Sequence, residues 1–332
     1  MTPTSIPAGK VPVELLARLL STDQAVPPEI RLGPAVGEDA CAIDVDAGVL
    51  IAATDPITLT TGELGRYGVI VNANDVAVMG VRPRWFLAVV LLPLGTTDQA
   101  VEAAFAAMRA ALDEVGAALV GGHTEVTAAV NQPVIVGQML GLATDGRIVT
   151  TAGARPGDVL VQIGEAPVEG AVVLATEAAD RLADLAPDVV AAASRGAGDP
   201  GISIVDAAVT AGSLGATAMH DPTEGGVASG LHEFAVAAGV SVRVDRSKVM
   251  WFEPGVAVCR ALGADPWATI ASGCLLATFP PDRVANALVD LSELAQPAAV
   301  IGVIEVGTGV CDQNGDPIAW PARDEVARIL MP

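Results

Sequence analysis

Short apolar segments of strand length alternate with segments of helical periodicity along most of this chain. In the first half the pattern predicts strands at 49–54, 84–92, 117–121 and 133–143, and helices at 66–79 and 101–112. In the second half it predicts strands at 159–163, 216–219, 274–279 and 298–306, and helices at 168–179, 202–211, 225–238 and 281–294. This alternation is typical of mixed α/β (α+β) folds, in which helices cover the faces of sheets.

The chain has 332 residues, which is enough for two domains that each bury their own core. A turn-forming segment at 152–158 contains two glycines and a proline and precedes a new apolar strand. We therefore predict one domain over 1–150 and a second over 151–332. The stretch 183–200 is rich in Ala, Asp and Gly, and we expect it to be a surface excursion.

Apolar residues are abundant but not arranged for a membrane. They make up 52% of the chain, yet the longest apolar run, near 85–92, is far shorter than the roughly 20 residues that a membrane helix needs. Residues 1–10 contain no basic segment followed by an apolar stretch, which is the pattern of a secretory signal. We expect a cytoplasmic protein that does not bind membranes.

Charge and cysteine content argue against three further classes of protein. The formal net charge is −21 and the only lysines are Lys10 and Lys248, so the chain offers no basic stripe for nucleic acid. The cysteines form no CxxC pair, which argues against a zinc knuckle and against a disulfide framework. They are Cys41, Cys259, Cys274 and Cys311.

Four groups of acidic or amide side chains stand at the ends of apolar elements in the first half, at 37–39, 54–56, 72–75 and 121–125. A buried carboxylate is normally paired or bound to a metal, because burying it alone is costly. Mg²⁺ prefers oxygen ligands and commonly bridges carboxylates to nucleotide phosphates. Together the four groups favour such a site. Taken singly, Asp39 and Asp55 also fit turn or cap residues, and Asn72 and Asn74 also fit amides that bond to the backbone.

The second half contributes the segment 220–226, in which a strand ends and two glycines open a helix. Free N–H groups in a first helical turn, together with the helix dipole, favour a phosphate. An ordinary helix cap with glycines for close packing is the alternative. Other catalytic templates, such as GxxxxGK[ST], GxGxxG, GxSxG and HExxH, are absent from the sequence.

Read in order, these motifs resemble the AIR synthase-like superfamily. The matching residues are Gly37-Glu38-Asp39-Ala40, Thr54-Asp55, Asn74-Asp75 with Gly80, and Gly121-Gly122-His123-Thr124. Asp221-Pro222-Thr223-Glu224-Gly225-Gly226 and Ser272-Gly273-Cys274-Leu275-Leu276 are similar to motifs of the hydrogenase-maturation (HypE) family within that superfamily. The resemblance covers essentially the whole chain.

The resemblance implies a two-domain subunit that forms a homodimer through its N-terminal sheet and uses ATP with Mg²⁺ to phosphorylate or dehydrate a small acceptor. It implies metal binding by Asp39, Asp55 and Asp75 and catalytic roles for Asp55, Asp75 and His123. Glu125 is the candidate ligand that replaces the magnesium oxygen lost where His123 stands in place of Asp. The implied cofactor-binding residues are Asn74, Gly121, Gly122, Asp221, Thr223, Gly225 and Gly226.

Three departures from the family pattern leave alternatives open. Glu38 replaces the first aspartate of the usual pair, and His123 stands where related enzymes carry Asp. The chain ends Leu330-Met331-Pro332, where the HypE family carries a cysteine that holds a carbamoyl group. We therefore expect HypE-like use of ATP without that thiol carrier. The alternatives are a small-molecule kinase resembling thiamine-monophosphate kinase and a non-catalytic nucleotide-binding scaffold.

Overall fold

The computed structural model describes residues 13–20, 27–58, 63–293 and 296–331. Within these ranges the first half forms a six-stranded sheet of order β1-β2-β3-β6-β4-β5. Its strands are β1 (Ile30–Leu32), β2 (Cys41–Val45), β3 (Gly48–Ile57), β4 (Pro83–Leu92), β5 (Ala118–Val126) and β6 (Val134–Ala143). Its helices are α1 (Val13–Leu20), α2 (Leu64–Ala77) and α3 (Asp98–Val115). Strand β5 lies at the edge and pairs with β4 in parallel.

Helix α2 lies at the centre of this first half. Every residue of α2 except Arg66 is buried, which agrees with its apolar composition on all sides. Glycines allow its close contacts: a Cβ added at Gly65 would lie 2.2 Å from the carbonyl oxygen of Ala104 on α3, and one at Gly68 would lie 2.8 Å from Ile135 on β6. The polar residues of α2 are therefore held inside the protein and need partners there.

The second half forms another six-stranded sheet, of order β12-β9-β11-β7-β10-β8. Its strands are β7 (Val159–Ile163), β8 (Ala218–His220), β9 (Ser241–Val244), β10 (Leu275–Phe279), β11 (Ala298–Glu305) and β12 (Gly309–Asp312). Its helices are α4 (Val168–Glu177), α5 (Pro187–Ser194), α6 (Val205–Ser213), α7 (Gly226–Ala238), α8 (Glu253–Leu262), α9 (Val284–Glu293) and α10 (Glu325–Leu330). The predicted mixed α/β class is confirmed. None of the described helices is both long and apolar enough to cross a membrane.

Several local predictions were wrong. Strand β5 continues to Val126, so the motif 121–125 lies inside a strand instead of after one, and Asp55 likewise lies inside β3. The stretch 183–200 is not a simple surface excursion, because it contains α5 and buries Ala193 and Ala197 against the core. Cys311 lies in β12.

Candidate functional site

Strand β3 and helix α2 are joined at Asp55 by the amide of Asn72. The Asp55 N–H donates to Asn72 Oδ1 (2.8 Å), and Asn72 Nδ2 donates to the carbonyl oxygens of Asp55 (3.2 Å) and Gly68 (2.9 Å). Gly137 on β6 makes room for this amide, since a Cβ there would lie 2.3 Å from Nδ2. The Asp55 backbone is thus fixed by a buried residue while the residue itself is only half-buried. This arrangement fixes the backbone position from which the Asp55 carboxylate extends.

Asn74 connects the two halves of the chain. Its Nδ2 donates to the Ile202 carbonyl oxygen (2.9 Å), and its Oδ1 accepts from the Ile204 N–H (3.0 Å). Asn74 is fully buried, and both ends of its amide are used by the backbone of the second half. The structure therefore gives Asn74 a structural contact, while its predicted cofactor role stays a prediction. Asp75, the next residue, is 6% exposed.

Asp39 contacts His220, a buried histidine that was not among the predicted site residues. His220 Nδ1 lies 2.8 Å from Asp39 Oδ2, and His220 Nε2 lies 3.0 Å from Glu233 Oε2 on α7. Burial lowers the pKa of His220, but the charges and hydrogen bonds of Asp39 and Glu233 outweigh it and raise this pKa well above its ordinary value. A carboxylate on each ring nitrogen therefore favours the protonated, cationic form of His220. One oxygen of Asp39, a predicted metal ligand, is engaged by this cation.

Glu38 makes a second connection between the halves. Its carboxylate accepts from the N–H groups of Thr151 (3.3 Å) and Ala152 (3.0 Å). Burial raises the pKa of Glu38, and the two backbone donors partly offset that rise. The longer side chain, where the family motif has aspartate, reaches this backbone directly.

The N–H of Gly225, the residue directly before α7, is bound by a carboxylate from the C-terminal segment. Asp324 Oδ2 accepts from the Gly225 N–H (2.7 Å), and its Oδ1 accepts from the Val326 N–H (2.7 Å). Gly225 has φ +82°, and a Cβ there would lie 2.1 Å from Ser229 Oγ. A Cβ at Gly226, where φ is +63°, would lie 2.5 Å from the Thr269 carbonyl oxygen. Both glycines are therefore required by internal packing, and their predicted phosphate contact stays a prediction. Asp221 and Thr223 precede them, with Asp221 buried.

Two buried carboxylates near this turn were missed by the sequence reading. Burial raises the pKa of Glu169 on α4 to about 7, with smaller contributions from neighbours that include Asp324, Glu224 and Asp55. Burial also raises the pKa of Asp324 to about 6. Glu169 is the acidic residue in the first turn of α4 and is followed by six apolar or small residues, and a search for buried charge would detect this pattern. Asp55 of the first half and Glu224 of the second thus come within electrostatic range of the same side chain.

His123 and Glu125 lie apart from these groups, on the exposed edge strand β5. Their side chains are 63% and 48% exposed, and His123 Nε2 lies 3.4 Å from Glu125 Oε2. Gly122 has φ +148°, and a Cβ there would lie 2.1 Å from the Ala88 carbonyl oxygen, so glycine permits the pairing with β4. A cavity of about 310 Å³ opens beside this motif. Its lining residues are Ala88, Phe105, Leu119, Gly121, Gly122, His123 and Thr124.

The register of the first sheet shows that Asp55 on β3 lies far from the 121–125 motif on β5. Asp55, Gly137, Ala88 and Gly122 are successive partners across β3, β6, β4 and β5. Three strand spacings amount to about 14 Å, which is too far for Asp55 and Glu125 of one chain to bind the same ion. In the described ranges no three His, Cys, Asp or Glu side chains converge to hold a metal ion. The residues fit an ion that is carried by a nucleotide, because Mg²⁺ needs only one or two carboxylates besides phosphate oxygens and water.

Comparisons with known proteins cover both halves. The family model "AIR synthase related protein, N-terminal domain" matches residues 37–143, and "AIR synthase related protein, C-terminal domain" matches residues 155–311. The carbamoyl dehydratase HypE of Rhodobacter capsulatus is 29% identical over 78% of this chain and 74% of its own length. The thiamine-monophosphate kinase of Corynebacterium glutamicum is 30% identical over 64% of this chain and 63% of its own. The crystal structure of hydrogenase maturation protein HypE in complex with ATP superimposes with a TM-score of 0.71 and 25% identity, covering 90% of this chain and 92% of that one.

Proposed function

The chain belongs to the AIR synthase related protein family, and from this premise we propose that it is a magnesium-dependent, ATP-using enzyme that phosphorylates or dehydrates a small acceptor. The observation that carries the proposal is the placement of Asp55. Its backbone is fixed by the buried Asn72, and its carboxylate acts electrostatically on Glu169 of the second half. An acidic side chain on a fixed backbone, within electrostatic range of the other half of the chain, is suited to a nucleotide that both halves contact.

Each residue then has a definite task. Asp55 and Asp75 hold the metal that accompanies the nucleotide, and Asp39 uses the oxygen that His220 leaves available. Bound Mg²⁺ supplies neutralisation of the phosphate charge, which is the main requirement of phosphoryl transfer. Asn72 and Asn74 keep β3, α2 and the 202–204 segment in fixed positions, so that the carboxylates do not reorganise when the nucleotide binds.

We further propose a homodimer in which a second copy covers β5. All nine residues of β5 are exposed, and three of its large apolar side chains, Leu119, Val120 and Val126, are between 38% and 54% exposed. An uncovered edge strand of this length favours pairing with another chain. Because His123 and Glu125 lie on that strand, a dimer offers them a route to the nucleotide site of the partner.

The experiment that tests the proposed function is calorimetric titration of the protein with ATP, in Mg²⁺ and again in EDTA. We expect ATP binding in Mg²⁺ and at least about tenfold weaker binding in EDTA, which corresponds to about 1.4 kcal/mol. Equal affinity in the two buffers would contradict a metal-bridged nucleotide. No binding in either buffer would contradict the use of ATP.

Outright phosphoryl transfer to an oxygen of an alcohol or of a phosphate monoester is a second candidate, favoured by the 30% identity to a thiamine-monophosphate kinase. The two chemistries differ in their products, since a kinase leaves a phosphorylated acceptor and a dehydratase releases inorganic phosphate. Turnover with candidate alcohols, amides and carboxylates, followed by phosphate and mass analysis, separates them.

A further inference from the structure

The C-terminal segment 320–331 contributes a carboxylate to the glycine turn before α7, although it lies beyond residue 311, where the match to the family's C-terminal domain ends. Asp324 Oδ2 accepts from the Gly225 N–H at 2.7 Å, across 99 positions of sequence. Asp324 Oδ1 accepts from the Val326 N–H, also at 2.7 Å, and so caps α10. The residue is 4% exposed. Each carboxylate oxygen is thus used by a different element, and one buried side chain joins the turn to α10.

The turn depends on an outside contact because its own residues constrain it weakly. Gly225 and Gly226 both adopt positive φ, +82° and +63°, and glycine has more conformational freedom to lose than any other residue. Within the turn, the Gly226 N–H donates to the Thr223 carbonyl oxygen at 2.9 Å. The Gly225 N–H donates to Asp324 instead, and hydrogen bonds to a carboxylate are among the strong ones. This contact therefore holds a conformation that two adjacent glycines would otherwise leave open.

Helix α10 is itself anchored, so the carboxylate at its start has a fixed position. Val326 is fully buried in the core. The Arg328 guanidinium donates to the Gly263 carbonyl oxygen at 2.7 Å, and Glu325 Oε2 accepts from the Asp265 N–H at 3.3 Å. Both contacts tie α10 to the loop after α8. A side chain supported in this way by packing and by hydrogen bonds can keep a neighbouring segment in one geometry.

The other end of the same turn is fixed by a second distant carboxylate. His220, the residue before Asp221, contacts Asp39 Oδ2 at 2.8 Å. Two of the predicted nucleotide-binding residues, Asp221 and Thr223, lie between this contact and the one with Asp324. Asp39 is also a predicted metal ligand, whereas both oxygens of the buried Asp324 accept from N–H groups of the chain. Asp324 thus acts through the turn and not on a ligand.

We propose that Asp324 is a positioning residue, which holds the 221–226 turn in the conformation that binds the nucleotide. The nucleotide as ligand rests on the proposed function, whereas the contact between Asp324 and the turn is a property of the fold. The 320–331 segment is then a required part of the nucleotide site without touching the ligand. Loss of the Gly225 contact should loosen the turn and weaken nucleotide binding even where α10 stays in place.

The test uses Asp324→Ser, because a serine hydroxyl can still cap α10 at the Val326 N–H but has no second oxygen for the Gly225 N–H. Burial raises the pKa of Asp324 to about 6, so the wild-type carboxyl is ionised at pH 8. Calorimetry with ATP and Mg²⁺ at that pH should give a Kd at least about tenfold higher for the variant than for the wild type. Amide hydrogen exchange without nucleotide should become faster in the 221–229 peptide and stay nearly unchanged in the peptide that carries α10.

Leu291→Ala is the control for a general loss of stability. Leu291 is fully buried on α9, which packs on α6 and β11, so this variant should melt at a lower temperature. Its Kd for ATP should stay within about twofold of the wild-type value, and exchange in the 221–229 peptide should not change. Asp324→Asn, which keeps one oxygen acceptor, takes the place of Asp324→Ser if the serine variant does not fold.

Three outcomes would overturn the positioning role. Unchanged exchange in the 221–229 peptide of Asp324→Ser would show that the contact does not hold the turn. Faster exchange there with an unchanged Kd for ATP would show that the nucleotide does not use the turn, and an equal rise of the Kd in Leu291→Ala would assign the effect to lost stability. Absence of ATP binding by the wild-type protein is a different result. It would contradict the proposed function and, with it, the nucleotide as ligand of the turn, while the exchange measurement would still decide whether Asp324 holds the turn.

Discussion

His220 Nδ1 lies 2.8 Å from Asp39 Oδ2 and joins two parts of the chain that are 181 residues apart in sequence. The His220 side chain is 4% exposed, and Glu233 holds its other ring nitrogen. A cation between two carboxylates fixes the loop before β2 against the end of β8. Asp39 is therefore part of the domain junction whether or not it also contacts a metal.

The first prediction is that His220→Gln destabilises the fold in a pH-dependent way. The pKa of His220 is raised in the folded state. Its protonated form therefore contributes fully to the free energy of unfolding below the unfolded-state pKa near 6.5, and this contribution is lost as the pH rises through the folded-state pKa. Removing the cation from this buried triad should lower the free energy of unfolding by about 3 kcal/mol at pH 6, with a smaller loss in alkaline buffer. Urea denaturation of both proteins from pH 6 to 10 measures it. His123→Gln, an exposed control, should change the free energy by less than about 0.5 kcal/mol. A pH-independent difference would contradict a charged His220.

The second prediction separates a ligand-facing carboxylate from a structural amide. Asp55→Asn should weaken Mg²⁺-dependent ATP binding by about tenfold or more and leave the melting temperature nearly unchanged, because the contact with Asn72 uses the backbone of Asp55. Calorimetry and thermal melts measure the two effects, with Asp113→Asn on the exposed side of α3 as the control. A large loss of stability with unchanged ATP affinity would assign Asp55 to the core.

The third prediction concerns Asn74→Ala. This change leaves the Ile202 carbonyl oxygen and the Ile204 N–H unpaired inside the protein, so we expect a loss of about 3 kcal/mol in the free energy of unfolding. Asn131→Ala, at an exposed position, should have little effect. Denaturant titration checks both variants. Unaltered stability in Asn74→Ala would show that the amide does not support the domain junction.

The fourth prediction is a pH-dependent gain in stability for Glu169→Gln. The pKa of Glu169 is raised from 4.5 to about 7, so the folded protein binds the proton more tightly and the wild-type protein loses stability as the pH rises between these values. The variant lacks this loss and should gain about 3 kcal/mol relative to wild type between pH 4.5 and pH 8. Denaturant titration of the variant and the wild-type protein across this pH range measures the difference in the free energy of unfolding. A relative stability that does not change with pH would contradict the burial of an ionisable Glu169.

The fifth prediction tests the covering of β5. Val120→Asp places a charge on the exposed edge strand and should convert a dimer into a monomer, whereas Val306→Asp, at an exposed turn of the second half, should not. Light scattering at micromolar concentration decides between the two states. A wild-type monomer would contradict the dimer, and a dimeric Val120→Asp variant would place the contact on another surface.

The sequence motifs were sufficient to identify the family, and the apolar periodicity was sufficient to predict most of the helices and strands. The resemblance drawn from the acidic motifs is confirmed by matches to both domains of the family. Helix α7 begins one residue after its predicted start, and β10 also begins one residue after its prediction. These features are readable because apolar spacing and capping are set by residues close together in sequence.

The sequence by itself determined the mixed α/β class, the family and the kinds of side chain available for a nucleotide and its metal. The tertiary structure decided which of those side chains contact one another. It joined Asp39 to His220, paired the Asn74 amide with backbone groups about 130 residues away, and placed Asp324 on the Gly225 N–H. It also separated His123 from Asp55 by three strand spacings. These contacts depend on the packing of elements that are distant in the chain, and the charge of a group such as Glu169 depends on how deeply that packing buries it.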